Sequence, residues 1–259
     1  MARLVERTTK LETEYQDSLR KTKLPRIGRR VLLALSVGGF VIPGIAQLFS
    51  WSNWLWTTGW DIQGIAFVGM MIAALWNKLI PSARTDILRS GIEGETLTRE
   101  ILRELPDDYT IVPDVMVKTS TGSAQLDFVV ISRKGIWIVE CKHMNGVIYG
   151  SYGDQQWRQD KIGRQGGNYS KLFYNPVKQV RTHVSKLKQY LQESGIGQIP
   201  WIQPVVYFSN DAVSVFAMGN ENHPVLRGRS ALLDYFFEQE QQANKVDEKH
   251  IKEILACLG

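Results

Sequence analysis

The run GIWIVECK, residues 135–142, constrains this chain more tightly than any other stretch. Its residues are apolar on both sides of the alternation, with Ile136 and Ile138 on one and Trp137, Val139 and Cys141 on the other. A strand of that kind belongs in the middle of a sheet covered on both faces. Yet it ends in Glu140 and Lys142, which lie two residues apart and so point to the same face. A buried charge is costly unless it is paired or bound to metal, so this end of the sheet demands a partner.

The preceding run QLDFVVIS, residues 125–132, offers one by placing Asp127 among apolar neighbours. If the turn SRKG closes an even-numbered hairpin loop, Asp127 falls directly across from Glu140 and Gln125 across from Lys142. A three-residue loop with a bulge at Gly135 would instead set Asp127 beside Cys141. Opposed carboxylates sit about 5 Å apart at Cβ and repel unless a cation bridges them. Two carboxylates are oxygen ligands suited to Mg²⁺ or Mn²⁺, and a lysine beside them can stabilise phosphate charge. Acid, acid and lysine around a divalent cation is the chemistry of phosphodiester hydrolysis. The competing reading is a buried salt-bridge network of the same three residues.

Around these strands the pattern predicts helices over residues 93–105, 176–191, 232–241 and 246–258. It predicts strands over 109–118, 124–132, 135–142 and 200–209, with short ones at 213–217 and 224–226. The core order α-β-β-β-α-β gives an α/β class, a mixed sheet flanked by helices.

Charge is unevenly spread along the chain's 259 residues. Residues 1–30 carry nine Lys/Arg against four acids, which accounts for the whole net charge of +5. The basic balance therefore belongs to an arm and is weak evidence for a basic nucleic-acid-binding domain. Two cysteines exclude a four-cysteine zinc site and a disulfide framework. Between Arg30 and Lys78 only Asp61 is charged. Residues 31–50 and about 62–80 are each near the ~20 apolar residues a membrane helix needs, and neither has the polar face of a soluble helix. The reading is a transmembrane hairpin at 31–80. Trp51, Trp54, Trp56 and Trp60 form its interfacial belt, and basic flanks hold both termini in the cytoplasm. A lipid bilayer is then a partner, and the cell inner membrane the location. The arm, 1–30, is too polar for a core, and a cytoplasmic domain fills 82–259.

The series GIEGE (residues 91–95), QLD (125–127), GIWIVECK (135–142), Trp157 and NPVKQ (175–179) with His183 resembles the nuclease-related domain, NERD. The resemblance covers about residues 88–209 and implies a relative of the PD-(D/E)xK restriction-endonuclease-like fold. Carried over residue by residue, it implies that Asp127 and Glu140 bind the metal and that Lys142 is the catalytic lysine. It adds Glu95 as the acid of the first helix and Gln179 as the polar residue of the later one. Asn175 and Pro176 also read as an ordinary helix cap, and Glu95 as a solvated first-turn acid. Phe128 departs from the family pattern, standing where a polar residue is common.

From residue 161 to 192 there is no acid, and Lys161, Arg164, Lys171, Lys178 and Arg181 are interleaved with Tyr169, Phe173 and Tyr174. Such a stretch can grip a backbone and stack bases, which makes nucleic acid, with DNA favoured, the expected partner. A solvated helix face is the other reading. The functional expectation is a membrane-anchored nuclease dependent on Mg²⁺ (or Mn²⁺). The alternative is a catalytically silent binding module on the same fold.

Overall fold

The computed structural model of the chain describes residues 1–7, 9–48, 64–69, 71–72, 83–162, 166–219, 224–243 and 245–258. They divide into two compact units, residues 1–10 with 90–259, and residues 11–89.

The larger unit is built on a mixed six-stranded sheet in the order β1-β2-β3-β4-β8-β10. Its strands are β1 (Arg3–Leu4), β2 (Thr110–Thr119), β3 (Gly122–Ser132), β4 (Gly135–Lys142), β8 (Ile202–Phe208) and β10 (Val225–Arg227). β2, β3 and β4 form an antiparallel meander, and β8 and β10 join it in parallel. Ser132 pairs with Gly135 and Phe128 with Val139, which is the register of a two-residue loop. β4 is central and buried along its first six residues, as a strand apolar on both faces should be.

Each face of the sheet has its own core. Ile136, Ile138, Val129 and Val206 pack on one side with α3 (Pro176–Glu193) and α5 (Glu248–Leu258). Trp137, Val139, Phe128 and Val205 pack on the other, against Leu102 of α2 (Ala83–Arg103) and Leu232 and Phe236 of α4 (Gly228–Glu240). Phe128, the departure from the family pattern, is fully buried in that second core. Its apolar side chain is satisfied by packing.

A second, four-stranded sheet follows β4 in the order β7-β6-β5-β9. It comprises β5 (Gly146–Ser151), β6 (Gln156–Ile162), β7 (Asn168–Tyr174) and β9 (Val213–Met218). Ile148 and Trp157 anchor it to the core beneath α3. Trp157 crosses Gly150 so closely that a Cβ there would lie 2.2 Å from the indole, so only glycine fits. The pattern gave no strand at β5, β6 or β7, because one face of this sheet lies in solvent and its polar residues break the apolar runs.

The first residues are not a free polar arm. Arg3 and Leu4 pair in parallel with Thr110 and Ile111 at the sheet edge. The Ala2 N–H donates to the Arg103 carbonyl at 3.1 Å, and Ala2 is buried in the core beside α2.

In the smaller unit, α1 (Lys10–Leu48) is one helix of 39 residues, so the charged and apolar segments form a single element. Residues 64–69 are also helical, and Gly69 there approaches Ser36 of α1 closely. Among the described residues no helix is long and apolar enough to cross a membrane. That finding contradicts the expected inner-membrane location with cytoplasmic termini, and it leaves the expected transmembrane hairpin at 31–80 and the lipid bilayer as partner without support. Trp51, Trp54, Trp56 and Trp60, and most of the second expected span, lie outside the described residues.

Candidate active site

The site forms where the meander loses its regularity. Pro113 pairs with Phe128 and Val115 with Leu126, but Asp114 and Asp127 between them drop out of the ladder. Asp114 takes a left-handed φ of 48°, a conformation aspartate tolerates better than most residues. On both strands the alternation slips there, since Val112, Val115 and Val117 share one core with Leu126 and Val129. The β3–β4 ladder also ends one pair short, at Phe128–Val139. Asp127 is thus released from pairing, and its Oδ2 accepts the Cys141 N–H at 2.8 Å. The expected hairpin register holds, yet Asp127 is bonded to the backbone next to Glu140 and does not pair with Glu140 itself. Gln125 does not face Lys142 either; its Nε2 donates to Asp114 Oδ1 at 2.7 Å.

Glu140 lies on the face of β4 that α3 covers and is 1% exposed. Its Oε1 accepts from Lys142 Nζ at 2.6 Å. His183 of α3 brings Nδ1 to 3.0 Å from Oε2, but the two atoms are not aligned for a hydrogen bond. Gln179 is one turn earlier on α3 and half-buried, on the same side as His183. His183 stood in the motif series without a role of its own. Its position in the buried stripe with Val180 and Leu187, four residues after Gln179, is the signal that it faces the sheet.

Burial and neighbouring charges together shift Asp127, Glu140 and Lys142. Burial and then the Glu140 charge raise Asp127 to about 7, with Lys142 pulling the other way. Burial alone would raise Glu140 too, but Lys142 and His183 outweigh it and the net shift is downward. Burial opposes the charge on Lys142, and the carboxylates of Glu140 and Asp127 reverse that, so its ammonium is held more firmly than in water. The cluster is an ammonium, a firm carboxylate and a second carboxyl poised near neutrality.

Cys141 points to the opposite face and is no nucleophile: burial and the Asp127 charge raise its thiol to about 12. Its Sγ lies 3.0 Å from Thr98 Oγ1 of α2. His143 contacts Ser209 Oγ through Nδ1 at 3.0 Å on the same face. A Cβ on Gly94 would lie 2.4 Å from that of His143, so glycine lets α2 reach the end of β4. Glu95, beside it, is half-buried, and its charge acts on Cys141.

Asn175 caps α3: its Oδ1 accepts from Val177 N at 2.9 Å and its Nδ2 donates to Asp154 O at 2.7 Å. The basic residues divide among three elements. Lys161 on β6 lies over the Tyr169 ring, Lys171 is exposed on β7, and Lys178 and Arg181 are on α3. Arg164 lies outside the described residues.

For a hard divalent cation, the donors present are the carboxylates of Asp127 and Glu140, and the buried Glu140 Oε2 has no aligned hydrogen-bond donor. That orphaned oxygen and its partner carboxylate fit an oxygen-ligated ion. Among the described residues no group of three or more His, Cys, Asp or Glu side chains could hold a metal ion, so an ion at the two carboxylates would need water or substrate oxygens to complete its shell.

A family model described as the nuclease-related domain, NERD, matches residues 90–209. That interval holds Glu95, Asp127, Glu140, Lys142, Gln179 and His183. An uncharacterized protein of Bacillus anthracis is 29% identical over 119 residues, covering 45% of this chain and 52% of the relative. The chain thus spans about half the length of that curated relative. No solved structure matches.

Proposed function

We propose that the chain is a divalent-metal-dependent nuclease of the restriction-endonuclease-like kind, hydrolysing phosphodiester bonds in nucleic acid, with DNA favoured. The observation that carries this reading is the convergence of Asp127, Glu140 and Lys142 where the β3–β4 ladder opens. Asp127 and Glu140 would hold Mg²⁺ or Mn²⁺. When bound, the ion supplies a Lewis acid for phosphoryl charge. Lys142, kept protonated by the two carboxylates, stabilises the negative charge that grows on the phosphoryl oxygens. His183 stands beside the Glu140 carboxylate at 3.0 Å, and Gln179, on the same helix face, would orient substrate or water. Glu95 approaches from the other face of β4 and has a supporting part at the rim. Lys161, Lys171, Lys178 and Arg181 are the candidate contacts to the backbone of the nucleic acid.

A second reading is supported by the contacts of Glu140, both of whose oxygens already have a nearby cation or imidazole. On that reading the cluster is a closed ion network, and the domain binds a partner without cutting.

The test is incubation of the full chain with supercoiled plasmid, single-stranded DNA and RNA, with Mg²⁺ or Mn²⁺ and with EDTA. Metal-dependent cleavage lost in Lys142→Ala and Asp127→Ala supports the nuclease. A folded wild type that neither cuts nor binds Mn²⁺ supports the silent module.

A further inference from the structure

Away from the carboxylates, a cavity of about 370 Å³ opens between the β1 segment, α2 and Pro113 of β2. Arg7, Arg99 and Arg103 line it, with Glu6 as the one acid on its wall. Arg99 and Arg103 are four residues apart and so project from one face of α2. The Arg99 Nε is buried and has no hydrogen-bond partner. Arg7 is held in place by donating to the Leu258 carbonyl. Among the described residues neither Arg99 nor Arg103 enters an ion pair.

Arg99 and Arg103, one turn apart on α2 and facing the same concave space, repel each other unless something negative sits between them, and the single exposed carboxylate of Glu6 offsets only part of that. A buried guanidinium N–H without an acceptor adds the cost of a lost hydrogen bond. Arginine forks bind the oxygens of a phosphate bidentately, and a dianionic phosphate brings more negative charge to the pair than a carboxylate does. The volume suits a phosphate group with room for an attached sugar, and is too small for a folded peptide.

We propose that this cavity is a phosphate-binding site, with Arg99 and Arg103 as the principal donors and Arg7 as the third wall. Its ligand is a phosphate monoester, carried by the end of a nucleic-acid strand or by a free nucleotide or phosphate. Glu6 weakens binding by its charge. The site does not depend on the catalytic reading, because none of its residues belongs to the carboxylate cluster.

The test is calorimetric titration of the full chain with inorganic phosphate in EDTA at low chloride, which keeps metal out of the carboxylate site. Saturable binding is expected, weakened about tenfold in both Arg99→Gln and Arg103→Gln and tightened in Glu6→Gln. Arg103 is exposed, so its variant keeps the test valid if Arg99→Gln folds poorly. Absence of phosphate binding, or equal binding in wild type and both arginine variants, would overturn the proposal. A second arm compares a 5′-phosphorylated oligonucleotide with its 5′-hydroxyl twin. A preference for the phosphorylated strand that Arg103→Gln abolishes assigns the site to strand ends; phosphate binding without that preference assigns it to free phosphate or nucleotide. Because these assays contain no metal, loss of nuclease activity leaves their outcome unaffected.

Discussion

A carboxyl group that ionises near pH 4 in water is held to about 7 at Asp127, and the stability of the fold should record it. Below about pH 4 the group is protonated in both folded and unfolded chains. As pH rises toward 7 the unfolded chain ionises first, so the stability contributed by the retained proton is lost through that window and is gone above it. Asp127→Asn keeps the acceptor for the Cys141 N–H and removes the second buried charge. It is expected to be more stable than wild type at pH 8, by on the order of 2 kcal/mol, with the difference shrinking toward pH 4. Thermal melts of the metal-free proteins across that range check it. Lys142→Met has the opposite sign: it strands the buried Glu140 carboxylate and should cost about 3 kcal/mol at pH 8 by urea unfolding.

At the scale of elements, what could be read from the sequence follows from how local the signal is. The parity of β4 was legible, because eight consecutive residues decide it, whereas the two-residue turn before it was one of two loop lengths the sequence left open. The break at Asp114 and Asp127 was not legible, since it arises from a backbone slip shared by two strands. It is why Asp127 bonds to Cys141 and not across to Glu140. The basic run from residue 161 hid the end of β6 and all of β7, because β7 exposes six of its seven residues and so has no apolar alternation to find. The approach of α2 to the end of β4 gives a prediction here. Gly94→Ala forces a methyl against His143 and should cost about 1–3 kcal/mol, read as a lower melting temperature. Thr98→Val, which keeps the shape and removes the hydroxyl near the Cys141 thiol, should cost less.

For the whole molecule, the larger unit closes only when the chain's first residues return to the sheet edge beside residues 110 and 111. A two-residue strand has no periodicity, so the arm's composition alone read as too polar for a core. Deleting residues 1–7 should therefore lower stability by about 2 kcal/mol and abolish phosphate binding, since it removes Ala2 from the core and Arg7 from the cavity. The apolar window at 31–80 taught the converse lesson: composition proposed a membrane anchor, and no described helix is long and apolar enough to be one. The central claim is that Asp127, Glu140 and Lys142 form one metal-dependent hydrolytic site. The most direct measurement is plasmid nicking by the full chain in Mn²⁺, beside Lys142→Ala and Asp127→Ala variants with matched folding. Nicking by wild type, abolished by EDTA and reduced at least about a hundredfold in both variants, is the expected result. Nicking that persists in EDTA or in either variant would contradict the account.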